Sequence, residues 1–350
     1  MPRTCEMEKV PELNYQSFLA DAMRDYLDYL DHLGFSIVGP AYNLRRIDRF
    51  LAANHVASAQ QCDSRLWLKL LAQYQGSVKA NTLMKWRITF HGLCRYLVRQ
   101  GWMPEDPVTA FPMLKPQQYL PYVFSADELR RFFGFLQQQA VHAADPTTSY
   151  RFQSRYVFYH LIYACGLRVS EAIRLTTADY SARQRTLFIQ PSKFLKDRLI
   201  PIGRRAASNL EQLLDLRQRL FGIAPEGSCF LLLPQRRPYN RTWASACFRE
   251  TLQHLGIYRP ERTYQGCTHG TPHLHELRRA FAVHRLMRWY REQVDVDAKL
   301  PLLATYMGHS FFGHTKTYLT LTQQLLSEAG NRFARSFDRL DWLTHDPELQ

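Results

Sequence analysis

The sequence predicts a mainly α-helical protein of two domains with one small β-hairpin. Apolar residues recur at steps of three and four along most of the 350 residues, which is the spacing of one helical face. Five prolines lie between residues 104 and 121, and proline disfavours helix at its own position and at the preceding residue. A change to short β-rich runs occurs between residues 186 and 202.

The proline-rich segment divides the chain. We predict a helical domain at residues 1–110, a linker at 111–122 and a second, mixed but mostly α domain at 123–350 that ends in a tail helix. In the first domain, Phe18 opens an apolar face that ends near Gly34. The same spacing predicts three further helices, over Tyr42–Ala53, Ser64–Tyr74 and about Val78–Gln100.

Two of these helices carry cations between their apolar positions, and these are our candidates for DNA contact: Arg45, Arg46, Lys79, Lys85 and Arg87. Such side chains form either a solvated helix face or a row of phosphate contacts. The sequence leaves both interpretations open.

The second domain begins with a capping box, Ser125 to Glu128, which predicts a helix through Leu136. Two β-rich runs, 186–190 and 198–202, flank a polar turn at 191–197 and predict a hairpin. The remaining predicted helices are 151–163, 168–175, 205–221, 242–255, 275–291, 299–307 and 314–326, followed by the amphipathic tail Asn331–Thr344. The segment Gln137–Phe152 is predicted to be a loop.

The composition excludes several classes of protein. The 45 Lys and Arg outnumber the 31 Asp and Glu, for a formal net charge of +14, so a polyanion such as nucleic acid is the first partner to consider. No apolar run suits a membrane span or a secretion signal. The seven cysteines lack paired spacing and predict reduced thiols in a cytoplasmic protein.

Four segments combine residue types that suit phosphate chemistry. The first is ACGLRVSE, with Arg168 and Glu171. The second is the hairpin turn with Lys193, and the third is HELR, which places His275 and Arg278 on one helical face. The fourth is GHS, whose His309 precedes Tyr318 by nine residues.

Together, and in this order, these segments resemble the tyrosine recombinase (phage integrase) family. The resemblance is strong over about residues 122–325 and looser over 15–107, which is similar to the core-binding domain of that family. It implies a site-specific DNA recombinase that needs no metal or nucleotide cofactor. It also implies six catalytic residues, namely Arg168, Lys193, His275, Arg278, His309 and the nucleophile Tyr318.

The resemblance implies a role for each residue. Tyr318 would attack the scissile phosphorus and form a 3′-phosphotyrosine. Arg168 and Arg278 would bind the non-bridging oxygens, and Lys193, favoured over Lys196, would protonate the leaving 5′ oxygen. His275 is implied as an acid or base, or as a phosphate ligand, and His309 as a further phosphate donor. Glu171 would support the site.

Other interpretations of the same residues remain open. Arg168 could form a structural ion pair with Glu171, and His309 could cap a helix. Tyr306 and Tyr290 compete with Tyr318, and His273 competes with His275. A metal site would use Cys267, His269, His273 and His275, although their spacing matches no standard zinc site.

The resemblance also implies double-stranded DNA at a specific site as the partner, a tetramer on two DNA sites, and the tail Asn331–Thr344 docking on a neighbour. Accessory or sister recombinases, a nucleoid location and a mobile element of the transposon or plasmid type fit this interpretation. A separate arm-site-binding domain is not expected. The alternatives are a non-catalytic DNA-binding factor on the same scaffold and a type IB topoisomerase.

Overall fold

The structure, a computed structural model, describes residues 14–109, 118–190, 197–223, 227–230, 238–264, 267–309 and 318–319. These residues form two compact units. The first comprises the chain to Leu120 together with Thr263–Thr268, and the second comprises the rest from Pro121. The predicted helix 314–326, apart from residues 318–319, and the tail Asn331–Thr344 lie outside the described residues.

Helices make up most of the first unit. In chain order they are α1 (Ala20–His32), α2 (Val38–Ala53), α3 (Ser64–Tyr74) and α4 (Ala80–Arg99). Asp63 begins α3, since its side chain accepts a hydrogen bond from the Leu66 N–H at 2.9 Å. The rings of Trp67 and Phe90 stack at 5.3 Å between centroids and join α3 to α4 in the core.

The second unit contains seven described helices, α5 (Ala126–Val141), α6 (Pro146–Ala164), α7 (Val169–Arg174), α8 (Arg204–Phe221), α9 (Arg241–His254), α10 (Leu274–Arg291) and α11 (Val296–Met307). Helix α6 is central and packs against α5, α7, α8 and α10. Its buried residues include four rings, those of Tyr150, Tyr156, Phe158 and Tyr159. A helix that is apolar on most sides fits a core position.

Six short strands form two described sheets. They are β1 (Gln118–Leu120), β2 (Tyr180–Ser181), β3 (Thr186–Ile189), β4 (Arg198–Pro201), β5 (Arg262–Tyr264) and β6 (Cys267–His269). One sheet has the order β1-β6-β5 and the other β2-β3-β4. Strands β3 and β4 pair antiparallel, with Leu187 opposite Ile200, and both of these side chains are buried. The predicted hairpin strands are confirmed.

The predicted loop at Gln137–Phe152 is wrong. Helix α5 continues to Val141 and α6 begins at Pro146, so the connection between them is short. Asp145 caps α6 by accepting a hydrogen bond from the Thr148 N–H at 2.9 Å, and Pro146 occupies the first turn, where its missing N–H costs nothing. Strands β1, β2, β5 and β6 were not predicted.

Candidate active site

Arg168 lies at the N-terminal end of the short helix α7, directly after a turn at Gly166. Its Nη1 donates to Oε1 of Glu171 at 2.7 Å, and its backbone N–H donates to Oε2 of the same carboxylate at 2.8 Å. Its Nη2 donates to the carbonyl of Gly308 at 2.5 Å. The predicted ion pair is therefore present, yet 27% of the Arg168 side chain remains exposed, so solvent and ligands can reach it.

Glu171 is the centre of the charge cluster. Arg198, from strand β4, donates to both carboxylate oxygens, from Nη1 at 3.0 Å and from Nη2 at 2.8 Å. Burial by itself raises the pKa of Glu171, but the hydrogen bonds and charges of Arg198 and Arg168 outweigh it and lower the pKa to about 2. Glu171 is therefore a fixed negative charge at neutral pH.

Arg278 lies in the first part of α10, and 1% of its surface is exposed. Its Nη1 donates to the carbonyl of Gly166 at 2.5 Å, and the same nitrogen is 3.9 Å from Oε2 of Glu171. Burial, together with the charge of Arg168, lowers the pKa of Arg278 to about 10. The guanidinium stays charged at neutral pH, in a region of low dielectric where its field is strong.

Three arginines converge on consecutive carbonyl groups at the end of α11. Arg198 donates to Tyr306 at 2.9 Å, Arg278 to Met307 at 2.8 Å and Arg168 to Gly308 at 2.5 Å. The three side chains come from β4, α10 and the turn before α7. The end of α11 therefore holds together three separate parts of the second unit.

Two glycines of this region have left-handed backbones. Gly166 has a φ of +59°, and a Cβ there would lie 2.6 Å from the ring of Phe281. Gly308 has a φ of +68°, and a Cβ there would lie 2.6 Å from Nη1 of Arg198. Because any side chain would be strained at these angles and would clash, both positions require glycine.

His309 and Tyr318 lie face to face. Their ring centroids are 5.9 Å apart with an interplanar angle of 28°. The His309 N–H donates to the carbonyl of Ala304 at 3.0 Å, which fixes the residue to α11. Tyr318 is buried, and it lies close enough to Arg278 for the two groups to interact electrostatically. The tyrosine predicted as the nucleophile therefore lies next to the predicted histidine and close to the arginine cluster.

The two rival tyrosines are placed differently. The Tyr306 hydroxyl donates to the carbonyl of Pro201 at 3.1 Å, and its ring stacks on Phe281 at 5.7 Å. Tyr290 lies in the last turn of α10, twelve residues beyond Arg278 in the same helix. Tyr318, by contrast, stacks on the ring of His309.

His275 and His273 have different surroundings. Burial, with the charges of Arg279 and Arg278, lowers the pKa of His275 to about 4, so its imidazole is neutral at neutral pH. A neutral imidazole can accept a proton. His273 is exposed, and its Nδ1 lies 2.8 Å from the carboxylate of Glu276, a residue that also pairs with Arg279.

Lys193 and the competing Lys196 lie outside the described residues. Strands β3 and β4 are described on either side of that turn. The tail Asn331–Thr344 also lies outside.

The five predicted DNA-contact residues do not share one environment. Lys79, Lys85 and Arg46 are exposed, and Arg45 is half-buried. Arg87 differs from the expectation, because it is 8% exposed and donates to the carbonyl of Val108 at 3.3 Å inside the first unit. Its side chain supports the fold of that unit and does not lie on its surface.

Within the described residues, no group of three or more His, Cys, Asp or Glu is arranged to hold a metal ion. The six cysteines that the structure describes are all free thiols. Among the described helices, none combines the length and apolar character that a membrane span requires.

A family comparison decides the family of this chain. The model of the phage integrase family matches residues 123–324, which is more than half of the chain and includes the whole arginine cluster. The chain belongs to the phage integrase family. It is a tyrosine-type site-specific DNA recombinase, and the predicted family, fold class and enzyme class are confirmed.

Relatives of this recombinase carry matching names. A Sinorhizobium fredii (strain NBRC 101917 / NGR234) protein named as an integrase/recombinase, y4rB, is 27% identical over 327 residues, which cover 92% of this chain and 99% of the relative. The tyrosine recombinase XerD of Brucella suis biovar 1 (strain 1330) is 26% identical over 232 residues, which cover 66% of this chain and 69% of the relative.

Solved structures show the same fold. A lambda integrase dimer bound to a COC′ core site has a TM-score of 0.60 at 19% identity, covering 87% of this chain and 78% of the other. The XerH site-specific recombinase bound to a palindromic difH substrate has a TM-score of 0.62 at 17% identity, covering 85% and 80%. The Tn1549 transposon integrase with a circular intermediate DNA has a TM-score of 0.61 at 14% identity, covering 85% and 94%.

Sequence reasoning missed one member of this recombinase site. Arg198 opens an apolar strand, RLIP, and was assigned to the strand alone. The signal that could have found it is a cation at the start of an otherwise apolar β-run, where a charge is retained only with a partner. That partner is Glu171.

Proposed function

We propose that this recombinase cuts and rejoins DNA strands through a covalent bond between Tyr318 and the 3′ phosphate of the cut strand. One observation carries the proposal. The Tyr318 ring stacks on His309, directly after the carbonyls that receive Arg168, Arg278 and Arg198. The proposed nucleophile and three guanidinium charges thus lie around one short segment of chain.

In the proposed step, the Tyr318 hydroxyl oxygen attacks the phosphorus and the bond from phosphorus to the 5′ oxygen breaks. Lys193 donates a proton to that 5′ oxygen, and His275, whose imidazole is neutral at neutral pH, accepts the phenol proton. One ester replaces another, so nothing is oxidised or reduced. The phosphotyrosine keeps the bond energy for rejoining, and no nucleotide is consumed.

The two arginines have different proposed tasks. Arg168 is partly exposed and has guanidinium N–H groups beyond those bound to Glu171 and Gly308, so it binds a non-bridging oxygen directly. Arg278 is almost fully buried, and its charge acts from beneath on the negative charge that builds up on the phosphate. His309 lies against the nucleophile and provides a further donor to the phosphate.

The first prediction tests the nucleophile. We expect Tyr318→Phe to abolish the covalent protein–DNA adduct on a nicked suicide substrate, since the attacking oxygen is removed, while DNA affinity in a gel shift changes little. The adduct is measured on a denaturing gel. Tyr290→Phe is the matched control and should form the adduct as the wild type does. Adduct formation by Tyr318→Phe contradicts the assignment.

The same assay separates the alternatives. A wild-type chain that binds its site tightly without forming an adduct is a non-catalytic DNA-binding factor. A chain that relaxes a supercoiled plasmid lacking the site as fast as one carrying it is a type IB topoisomerase. We expect neither, and instead expect exchange of flanking DNA between two plasmids that each carry the site.

We also propose that four protomers assemble on two DNA sites, with the tail Asn331–Thr344 docking on a neighbour. Two solved structures with the fold of this chain support this proposal. One is a lambda integrase dimer bound to a core site, and the other is a lambda integrase tetramer bound to a Holliday junction. Sister or accessory recombinases fit the same assembly, and the chain would act inside the cell, on the nucleoid or a mobile element.

The first unit is proposed to be the core-binding domain that binds DNA. Its candidate DNA-contact residues are Lys79, Lys85 and Arg46, which are exposed, and Arg45, which is half-buried. Exposed lysines and arginines neutralise phosphates and release counterions, so affinity would fall as salt rises. Arg87 is left out of this set because it is buried.

A further inference from the structure

Strand β4 contributes a cation whose guanidinium is bound on all three nitrogens. Arg198 donates from Nη1 and Nη2 to the two oxygens of Glu171 and from Nε to the carbonyl of Tyr306 at 2.9 Å. Because each of its nitrogens donates to the protein and its side chain is 10% exposed, the described contacts of Arg198 are to other residues of the second unit.

The carboxylate that Arg198 holds is the one that holds Arg168. Glu171 accepts from Nη1 of Arg168 at 2.7 Å on Oε1, the oxygen that also accepts from Nη1 of Arg198. A planar fork fixes both the position and the rotation of a carboxylate, which a single ammonium donor does not. The orientation of Arg168 therefore depends on Arg198 through a single bridging group.

Arg198 also contacts the segment that leads to His309 and Tyr318. The backbone of Gly308 lies so close that a Cβ there would be 2.6 Å from Nη1 and 2.9 Å from Cζ of Arg198. In the sequence, Arg198 follows the candidate general acid Lys193 by five residues. One side chain therefore connects the hairpin of the general acid to the phosphate-binding arginine and to the end of α11.

A buried ion pair of this kind is poor evidence for stability, since the cost of removing two charges from water offsets most of the attraction. The effect of this ion pair is to fix the orientation of the Glu171 carboxylate. We infer that Arg198 is a positioning residue for strand cleavage, which fixes Glu171 so that Arg168 faces the scissile phosphate. This inference rests on the proposed function of the site.

The second prediction tests this role with two substrates. One is a nicked suicide duplex with a natural scissile phosphodiester, and the other carries a neutral methylphosphonate at that position. The methyl group replaces a charged oxygen, so little charge remains for Arg168 to neutralise. In single-turnover assays, we expect Arg198→Lys to slow cleavage of the natural substrate by about 100-fold, the scale of a small misplacement of a catalytic group.

On the methylphosphonate, we expect Arg198→Lys to slow cleavage by no more than about threefold, because the electrostatic contribution that Arg168 makes is largely absent. DNA affinity in a gel shift should stay near the wild-type value. The ratio of the two rates is measured in one preparation, so any misfolded fraction cancels. Partial unfolding therefore cannot produce the expected result.

Arg217→Lys is the matched control. Arg217 is a buried arginine of α8 in the same unit, and its Nη1 donates to the carbonyls of Cys229 and Phe230 at 2.8 and 3.2 Å. It has no described contact with Glu171, so its replacement should leave the ratio at the wild-type value.

Three results of these assays would overturn the inference. Equal slowing of Arg198→Lys on both substrates shows a general structural role and overturns the inference, as does a wild-type rate on both. Lack of any adduct with the wild-type chain, on a site that footprinting shows to be bound, overturns the proposed function and the inference with it.

Discussion

The ring of Phe281 lies against the backbone of Gly166, two residues before Arg168. Phe281 belongs to α10, the helix that also carries Arg278, and Arg278 donates to the carbonyl of Gly166. The close approach of α10 to this turn is possible only without a side chain at residue 166. A single glycine thus permits the contact between Arg278 and the turn that precedes Arg168.

The third prediction concerns that glycine. Gly166→Ala should lower the free energy of unfolding by about 2 to 4 kcal/mol, since it adds left-handed strain of about 1 kcal/mol to overpacking of about 1 to 3 kcal/mol. Urea unfolding measures the change. Gly256→Ala is the matched control, with a φ of +65° and no atom within 4 Å of the added Cβ. This control variant should lose only the stability that left-handed strain costs. An equal loss of unfolding free energy in the two variants would contradict the packing argument.

The sequence predicted the residue types of the candidate site and their spacing, but it did not predict which of the charged side chains are buried. Arg168, Glu171 and Arg278 were found because the segments that contain them, taken in order, resemble those of the tyrosine recombinase family. Arg198 and Arg87 were misjudged because a sequence does not show which cations face inward. Arg198 forms an ion pair with Glu171, which is distant in sequence, and Arg87 donates a hydrogen bond to the carbonyl of Val108. Only tertiary contacts distinguish these two from exposed arginines.

At the scale of elements, helix ends follow their capping side chains. Ser125 accepts a hydrogen bond from the Glu128 N–H at 3.1 Å, and Glu128 accepts one from the Ser125 N–H at 2.9 Å. This reciprocal capping box begins α5 where it was predicted. Helix α5 then buries Leu129, Phe132 and Leu136 against the core of the second unit.

The fourth prediction follows from this cap. Ser125→Ala should lower the free energy of unfolding of the second unit by about 1 kcal/mol, because the Glu128 N–H loses its acceptor. Thermal or urea unfolding measures the loss. Ser125→Asp supplies another acceptor at the same place and should retain near wild-type stability. If Ser125→Asp destabilises as much as Ser125→Ala, the cap is not the cause.

The bounds of a helix were predictable where its apolar pattern extends over many residues and a capping residue precedes it, as for α3 at Ser64–Tyr74. The start of α6 was missed although Asp145-Pro146 is a capping signal, because the polar run that follows has no apolar face. Strands β5 and β6 are three residues each, and β5 is exposed throughout. Such strands carry too few residues for a periodic pattern to appear.

Three imidazoles contribute to the loss of stability of this protein in acid. Burial lowers the pKa of His160 and of His275 to about 4 each, and it also lowers the pKa of His284. As pH falls below 6.5, the unfolded chain binds protons that the folded chain does not. Stability is therefore present above that pH and is lost as pH falls toward 4.

The fifth prediction uses His160 of α6, whose ring stacks on Tyr156 at 5.4 Å. At pH 4.5 the wild type should be less stable than at pH 7, with about 2 kcal/mol of the loss due to this histidine. His160→Gln removes the titrating group and should reduce the loss by that amount in urea unfolding. The exposed His142 is the control, and an equal effect of His142→Gln would contradict the argument.

The carbonyls of Tyr306, Met307 and Gly308 have a consequence for how arginine variants are interpreted. The last carbonyls of a helix have no partner within the helix and carry the negative end of its dipole. In α11 the arginine side chains serve as the C-terminal caps. Replacing Arg168 or Arg278 would therefore remove a charge from the proposed site and also leave the carbonyl of Gly308 or Met307 without its donor, so a loss of cleavage would have two sources, the lost charge and a loosened end of α11. Faster amide hydrogen exchange at the end of α11 would separate that contribution from the lost charge.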